Sequence, residues 1–221
     1  MTKPAAWGAV LFDLDGTLTH SEAGVIRGVL HALSHVGIAH PAQHEMRRYL
    51  GPPLHDSFTQ FHDMSNEQAH EAVAVYREYY DTTGAFENEV YAGVPELLAD
   101  LAARGVRVAV ATSKVEYAAV AIMRHFDLER YVEHIVGADP SGELRGTKAL
   151  VIAEALARLG LEPGAAAVMV GDREHDIHGA AANGLASIGA GWGYAEPGEL
   201  EHAGADQVAA SVADLRRVLL G

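Results

Sequence analysis

Three short apolar runs, each breaking off abruptly into polar residues, restrict this chain to a narrow set of folds. Ala9-Val10-Leu11-Phe12 runs into Asp13-Leu14-Asp15-Gly16-Thr17, Val106 to Ala111 into Thr112-Ser113-Lys114, and Ala165 to Val170 into Gly171-Asp172. A short uninterrupted apolar run bounded by turn residues reads as a strand buried on both faces. Helical patterns lie between the runs, at Val94 to Ala103, Val115 to Phe126, Thr147 to Leu159 and His175 to Asn183, with Gly105, Gly160 and Gly184 near their expected C-termini. Further strands are expected at Ala186 to Gly189 and Asp206 to Ala209, a weaker one at His134 to Val136, and a closing helix at Val212 to Leu220. Strands alternating with helices predict an α/β fold with a Rossmann-like parallel sheet core. Ligands of such sheets bind outside the carboxyl ends of the strands, where the three polar clusters would converge.

The stretch from residue 19 to 88 breaks the alternation. Its apolar residues recur at helical spacing: Val25, Ile26, Val29, Leu30 and Leu33, then Met46, Tyr49 and Leu50, then Val73, Tyr76 and Tyr80. We therefore expect an inserted all-helical cap domain over residues 19–88, with residues 1–18 and 89–221 forming the core. An insert that begins directly after Asp13 and Asp15 would roof the strand ends.

Charge narrows the chemistry. Sixteen Lys and Arg oppose thirty Asp and Glu, a formal net charge of −14, which disfavours nucleic acid as a partner and leaves small anions in need of a cation or a few placed basic groups. The lysines are only Lys3, Lys114 and Lys148, and there is no cysteine, so thiolate catalysis, disulfides and Cys-based metal sites are excluded. No stretch approaches a membrane span and residues 1–8 lack an apolar signal segment, so a cytoplasmic enzyme without membrane association is expected.

Asp13 and Asp15 suit a nucleophile and a proton-transfer group, but an Asp-Gly turn explains them as well. Asp172 and Asp176, spaced i and i+4 across a helix start, offer hard oxygen ligands that suit Mg²⁺; they equally read as a helix cap and a solvated first turn. Thr112 and Ser113 provide hydroxyl and backbone donors at a strand end, and Lys148 provides a cation, all fitting phosphoryl oxygens. Thr112 as a helix N-cap and Lys148 as a surface charge are the plainer alternatives. His31 and His35 have a chelating spacing without a carboxylate partner. Gly189, Gly191 and Gly193 around Trp192 fit a dinucleotide fingerprint only loosely and read as a loop near the sheet edge.

Taken together, Asp-Leu-Asp-Gly-Thr-Leu after the first strand, Thr-Ser-Lys after the second, a lone Lys148 and then Gly-Asp-Arg-Glu-His-Asp resemble the haloacid dehalogenase superfamily. The helical insert is similar to that of its phosphoglycolate phosphatase-like branch. The resemblance implies Asp13 as a nucleophile forming an aspartyl-phosphate and Asp15 as the acid and base. It implies Mg²⁺ held by Asp13, the Asp15 carbonyl and Asp172, with Asp176 as a ligand or support. Thr112, Ser113 and Lys148 would bind phosphoryl oxygens, and Arg47 or Arg48, in the loop leading to Gly51-Pro52-Pro53, would grip a substrate anion or remain solvated.

The same resemblance sorts the activities. Residues 19–88 contain no lysine, which removes a Schiff-base phosphonatase, and the presence of Asp15 argues against carbon–halogen cleavage. The expected function is hydrolysis of a small phosphorylated metabolite, phosphoglycolate-like, by a monomer or homodimer. The alternatives are a 5'-nucleotidase acting on nucleoside monophosphates, a hexose-phosphate mutase and a non-catalytic phospho-ligand binder. Insert aromatics such as Phe58, Tyr76 and Tyr80 would stack on a base in the nucleotidase, but their helical spacing fits core packing.

Overall fold

A computed structural model describes residues 7–141 and 143–221; Lys3 and most of the N-terminal segment lie outside them. The chain separates into two compact units, Met1–Thr19 with Val90–Gly221, and His20–Glu89. Strand β1 (Ala9–Phe12) opens the first unit. The chain leaves through β2 (Thr19–His20) and returns through β3 (Glu89–Val90), and these two-residue strands pair with each other.

The second unit holds α1 (Glu22–His35), α2 (Leu54–His62) and α3 (Asn66–Tyr80). Its buried faces are apolar at helical spacing, with Val29, Leu33, Phe58, Tyr76 and Tyr80 all buried. Phe58, Tyr76 and Tyr80 are therefore core residues of the insert. The helical reading of Met46 to Leu50 is corrected to a 3-10 segment, Gln43–Tyr49. The following Gly51, at φ 106°, and Pro53, which precedes the first residue of α2, stop regular helix there and set the entry into α2.

The first unit continues with α4 (Val94–Ala103), β4 (Arg107–Val115), α5 (Glu116–His125), β5 (His134–Ala138), α6 (Lys148–Arg158), β6 (Ala167–Gly171), α7 (Glu174–Ala182), β7 (Ala186–Ala190), α8 (Glu199–His202), β8 (Gln207–Ala209) and α9 (Val212–Leu220). The six strands form one parallel sheet in the order β5-β4-β1-β6-β7-β8. The α/β reading holds, and its physical basis is direct. Residues of β1 and β6 are buried throughout because helices cover both faces. One face packs Leu11, Ala109 and Met169 against Val151, Ile152 and Leu156 of α6.

The chain builds outward from β1 to β4 and β5, then crosses back to β6, β7 and β8. The carboxyl ends of β1 and β6 thus flank the point where the winding reverses, where open parallel sheets place their ligands. Among the described residues, no helix is long and apolar enough to cross a membrane.

Candidate active site

Phe12 is in register with both Val110 of β4 and Val170 of β6, so the residues that follow these strands are brought together by the sheet itself. Asp13 is fixed by its N–H, which donates to Val170 O at 2.8 Å. Beyond it the chain turns tightly: Gly16 N–H donates to Thr19 O at 2.7 Å and Leu18 N–H to Leu14 O at 2.9 Å, with Leu14 and Leu18 buried as anchors. Gly16 sits at φ 79°, a conformation that favours a residue without Cβ.

Asp13, Asp172 and Asp176 form a buried cluster in which one carboxylate oxygen from each lies within 4.8 Å of the others. Lys148 is a buried residue at the start of α6 and not a surface charge. Its Nζ lies 2.8 Å from Asp13 Oδ1 and 2.7 Å from Asp176 Oδ1, and donates to Ala111 O at 3.1 Å. Thr147 takes the N-cap position of α6. Asp172 is likewise no helix cap, since Arg173 occupies the N-cap position of α7. Both Asp172 oxygens face donors: Tyr194 N–H at 2.7 Å on Oδ2 and Thr17 Oγ1 at 3.5 Å on Oδ1.

Burial is the largest influence on Asp172 and Asp176. It holds Asp172 well above the ordinary carboxylate range, with Asp13 and Asp176 pushing the same way. It also pushes Asp176 up to about 6, against the opposing pull of Lys148. Burial alone would lower Lys148, but Asp13 and Asp176 outweigh it and keep the ammonium charged. Asp13 and Asp176 thus share Lys148 while Asp172 meets only the neutral donors Tyr194 N–H and Thr17, so the three acids outnumber the one lysine in a dry site. Asp13 Oδ1 and Asp176 Oδ1 are buried without a hydrogen bond of good geometry, although both lie at ion-pair distance from Lys148. A set of hard oxygen donors with surplus negative charge fits a small divalent cation.

The sign of the pH dependence follows. A carboxyl whose folded pKa is raised contributes stability below its unfolded pKa, and loses it as the pH climbs through the folded value. Metal-free protein should therefore weaken as the pH rises above about 4, with the share of Asp176 spent by about 6 and that of Asp172 continuing above it. His62 and His175, both lowered chiefly by burial, act in the opposite sense, but they do so with and without metal. The melting-temperature difference between Mg²⁺ and EDTA should grow from near zero at about pH 5 to about 5 °C or more at pH 8. A difference that is flat across this range would contradict the electrostatics described.

Asp15, Thr112 and Ser113 also stand at these strand ends. Thr112 is buried and is not a helix N-cap; β4 runs on through Val115, which takes that position for α5. The pairing of β4 with β5 shifts register between Thr112 and Val115, and the irregular stretch contains Ser113, which is exposed, and Lys114. Lys114 Nζ lies 3.0 Å from Asp15 Oδ2. The two described lysines are thereby divided between the two motif aspartates, Lys148 on Asp13 and Lys114 on Asp15. The assignment of Lys148 alone missed this, although the scarcity of lysine was the available signal.

A second omission is the loop after β7. The glycines around Trp192 lie in a loop near the sheet edge, where Gly191 N–H donates to Ala209 O of β8 at 2.9 Å, and this loop also reaches the acidic cluster. Tyr194 N–H holds Asp172, Trp192 Nε1 donates to Thr17 O at 3.2 Å, and a Cβ on Gly193 would fall within 2.5 Å of Asp172 Oδ2 and Gly16 O. Close approach alone is enough to require glycine there.

Arg47 and Arg48 lie in the other unit and are engaged within it. Arg47 is exposed and donates to Glu22 at 3.2 Å, while the Arg48 guanidinium stacks 4.3 Å from the Phe61 ring centre and 3.7 Å from Glu45. His31 and His35 lie beside Tyr79 and Glu71 respectively.

Residues 10–190 match the haloacid dehalogenase-like hydrolase family. The chain belongs to the haloacid dehalogenase-like hydrolases. Among its relatives is the tyrosine-protein kinase PtkA of Mycobacterium tuberculosis, 42% identical over 212 residues that cover 95% of this chain and 72% of that protein. A 5'-nucleotidase of Pseudomonas aeruginosa is 41% identical over 210 residues, 95% of this chain and 94% of that one. A solved structure of a predicted phosphatase from Clostridium acetobutylicum superposes with a TM-score of 0.91 at 39% identity, covering 96% of this chain and 97% of that chain. As a haloacid dehalogenase-like hydrolase, the chain thus pairs a shared fold with relatives named for different phosphoryl chemistry.

Proposed function

We propose that this haloacid dehalogenase-like hydrolase is a Mg²⁺-dependent phosphatase that cleaves a small phosphate monoester through an aspartyl-phosphate on Asp13. The observation that carries the reading is the buried Asp13–Lys148–Asp176 arrangement with Asp172 beside it. A nucleophilic carboxylate aligned with a lysine, among acids that surplus negative charge makes receptive to a divalent cation, suits attack on a phosphate dianion.

In this mechanism Asp13 attacks phosphorus while Thr112, Ser113 and Lys148 hold the phosphoryl oxygens. Asp15 gives a proton to the departing oxygen and later takes one from the water that cleaves the aspartyl-phosphate. Lys114, against Asp15, keeps that carboxylate at the strand end. Asp13, the Asp15 carbonyl and Asp172 would hold Mg²⁺, supported by Asp176, and the ion would offset the repulsion between carboxylate and phosphate. The helical insert, residues 19–88, acts as the cap that selects the substrate, with Arg47 or Arg48 exchanging its internal partner for a substrate anion. The reaction takes place in the cytoplasm.

A phosphoglycolate-like monoester is the first substrate choice, because its leaving group is small and its second anion suits an arginine. A nucleoside monophosphate is the second reading, favoured by the 41% identity to a 5'-nucleotidase over nearly its whole length. Against it, Phe58, Tyr76 and Tyr80 are buried, which leaves these three rings unavailable to a base.

The test is phosphate release from phosphoglycolate, sugar phosphates, nucleoside monophosphates and phosphotyrosine, with Mg²⁺ or with EDTA. The expected result is turnover that EDTA abolishes and that is concentrated on one compound class. Turnover indifferent to EDTA, or none on any compound, would remove the reading.

A further inference from the structure

Glu199 contributes no atom to the acidic cluster, yet it is tied to the turn that carries two of its three acids. Its Oε1 accepts hydrogen bonds from Arg173 Nε at 2.7 Å and from the Glu174 N–H at 2.9 Å. Its Oε2 accepts from the Glu196 N–H at 2.9 Å. The Glu199 side chain is 11% exposed and that of Arg173 17%, so this is an enclosed, charge-assisted pair rather than a surface contact. Burial alone would raise the Glu199 carboxyl, but the Arg173 bond and the two backbone donors hold it below its ordinary value.

Both ends of this tie are firm. On one side Leu200, buried at 3% exposure, lies against β7 at Gly189, where a Cβ would come within 2.8 Å of Leu200 Cδ1. The backbone of Glu199 therefore rests on the sheet. On the other side, Arg173 directly follows Asp172, and its N–H donates to Asp176 Oδ2 at 3.1 Å. A continuous path of contacts thus runs from β7 through Leu200 and Glu199 to Arg173 and Glu174, and from there to Asp172 and Asp176.

We infer that Glu199 is a positioning residue which, through Arg173 and the Glu174 amide, fixes the turn bearing Asp172 and Asp176 and so sets the affinity of the site for its divalent cation. This rests on the reading that these acids hold a divalent cation. Any ordering that the backbone of the ligands must undergo at the moment of binding is subtracted from the affinity for the ion, so a turn held beforehand binds more tightly. Partners behind metal ligands typically change affinity by about 10–100-fold when removed.

Binding of Mg²⁺ by calorimetry, and of Mn²⁺ by loss of its free-ion paramagnetic resonance signal, tests this on the full chain without recourse to activity. Glu199→Ala should weaken both by about 10–100-fold, while turnover at saturating Mg²⁺ stays within about threefold of the native protein. Glu199→Gln, which keeps the shape and loses the charge, should fall between the two. If Glu199→Ala does not fold, Arg173→Gln carries the same expectation and Glu199→Gln the intermediate one. Variants that bind both ions as the native protein does overturn the inference, as does a loss of maximal turnover with unchanged ion affinity. Native protein that binds neither ion removes the metal reading itself, and this inference with it.

Discussion

Asp13→Asn should reduce phosphate release by at least about 10³-fold while leaving a folded protein. The amide is nearly isosteric with the carboxylate, but its lone pairs are too weakly nucleophilic to attack phosphorus. No neighbour can take over, because Asp172 faces Tyr194 N–H and Thr17, and Asp176 is spent on Lys148 and the Arg173 N–H. The substitution also removes one charge from three crowded acids, so thermal unfolding in EDTA should shift little or move upward. Native protein quenched in acid during turnover should carry a phosphoryl group on the peptide containing Asp13. Turnover within tenfold of native in Asp13→Asn would eliminate Asp13 as the nucleophile.

Lys148→Met should be costly twice. The lysine side chain is 4% exposed and lies between Asp13 and Asp176, with Ala111 O as a third partner. Removing one member of a buried ionic group leaves the others uncompensated, which typically destabilises by about 3–5 kcal/mol. That loss should appear as a lower melting temperature in EDTA and should shrink when Mg²⁺ is added. Turnover should drop by about 10²–10³-fold even at saturating Mg²⁺, because a fixed positive charge is lost where the phosphoryl group carries its negative charge. The double variant Lys148→Met/Asp176→Asn should recover much of the stability and none of the activity. A single variant as stable as the native protein would mean that the buried triad is not formed in solution.

Part of the site was readable in the chain because its residues are adjacent to strong local signals. An apolar run that stops at Asp13, Thr112 or Asp172 announces a strand end, and parallel pairing then carries those ends to one place whatever the details of the loops. Three of the alternatives for single residues failed for a shared reason. Lys148 as a surface charge, Thr112 as an N-cap and Asp172 as a helix cap each treat a residue by its local neighbours, whereas burial under neighbouring strands and helices decided its environment.

Contacts between residues far apart in the chain had no such signal. Lys114 meets Asp15 where the β4–β5 pairing becomes irregular, and register irregularities depend on how two strands pair rather than on the composition of either. Tyr194 meets Asp172, and Glu199 meets Arg173, only because β7 lies beside β6 in the sheet. The 3-10 segment at Gln43–Tyr49 likewise shows apolar spacing alone failing to separate helix types where a Gly-Pro-Pro turn follows closely.

The amino-acid sequence by itself determined the alternation of strands and helices, the separate helical pattern of residues 19–88, and the acids and lysine that meet at the strand ends. These follow from periodicity and from polar residues placed at the termini of apolar runs, both of which are local. Tertiary structure alone decided which lysine serves which aspartate, which glycines must lack a Cβ, and which carboxylate steadies the turn behind the acidic cluster. Those depend on strand order and burial, where a few ångströms of approach convert exposed, solvated groups into desolvated ones whose charges must be answered by a neighbour.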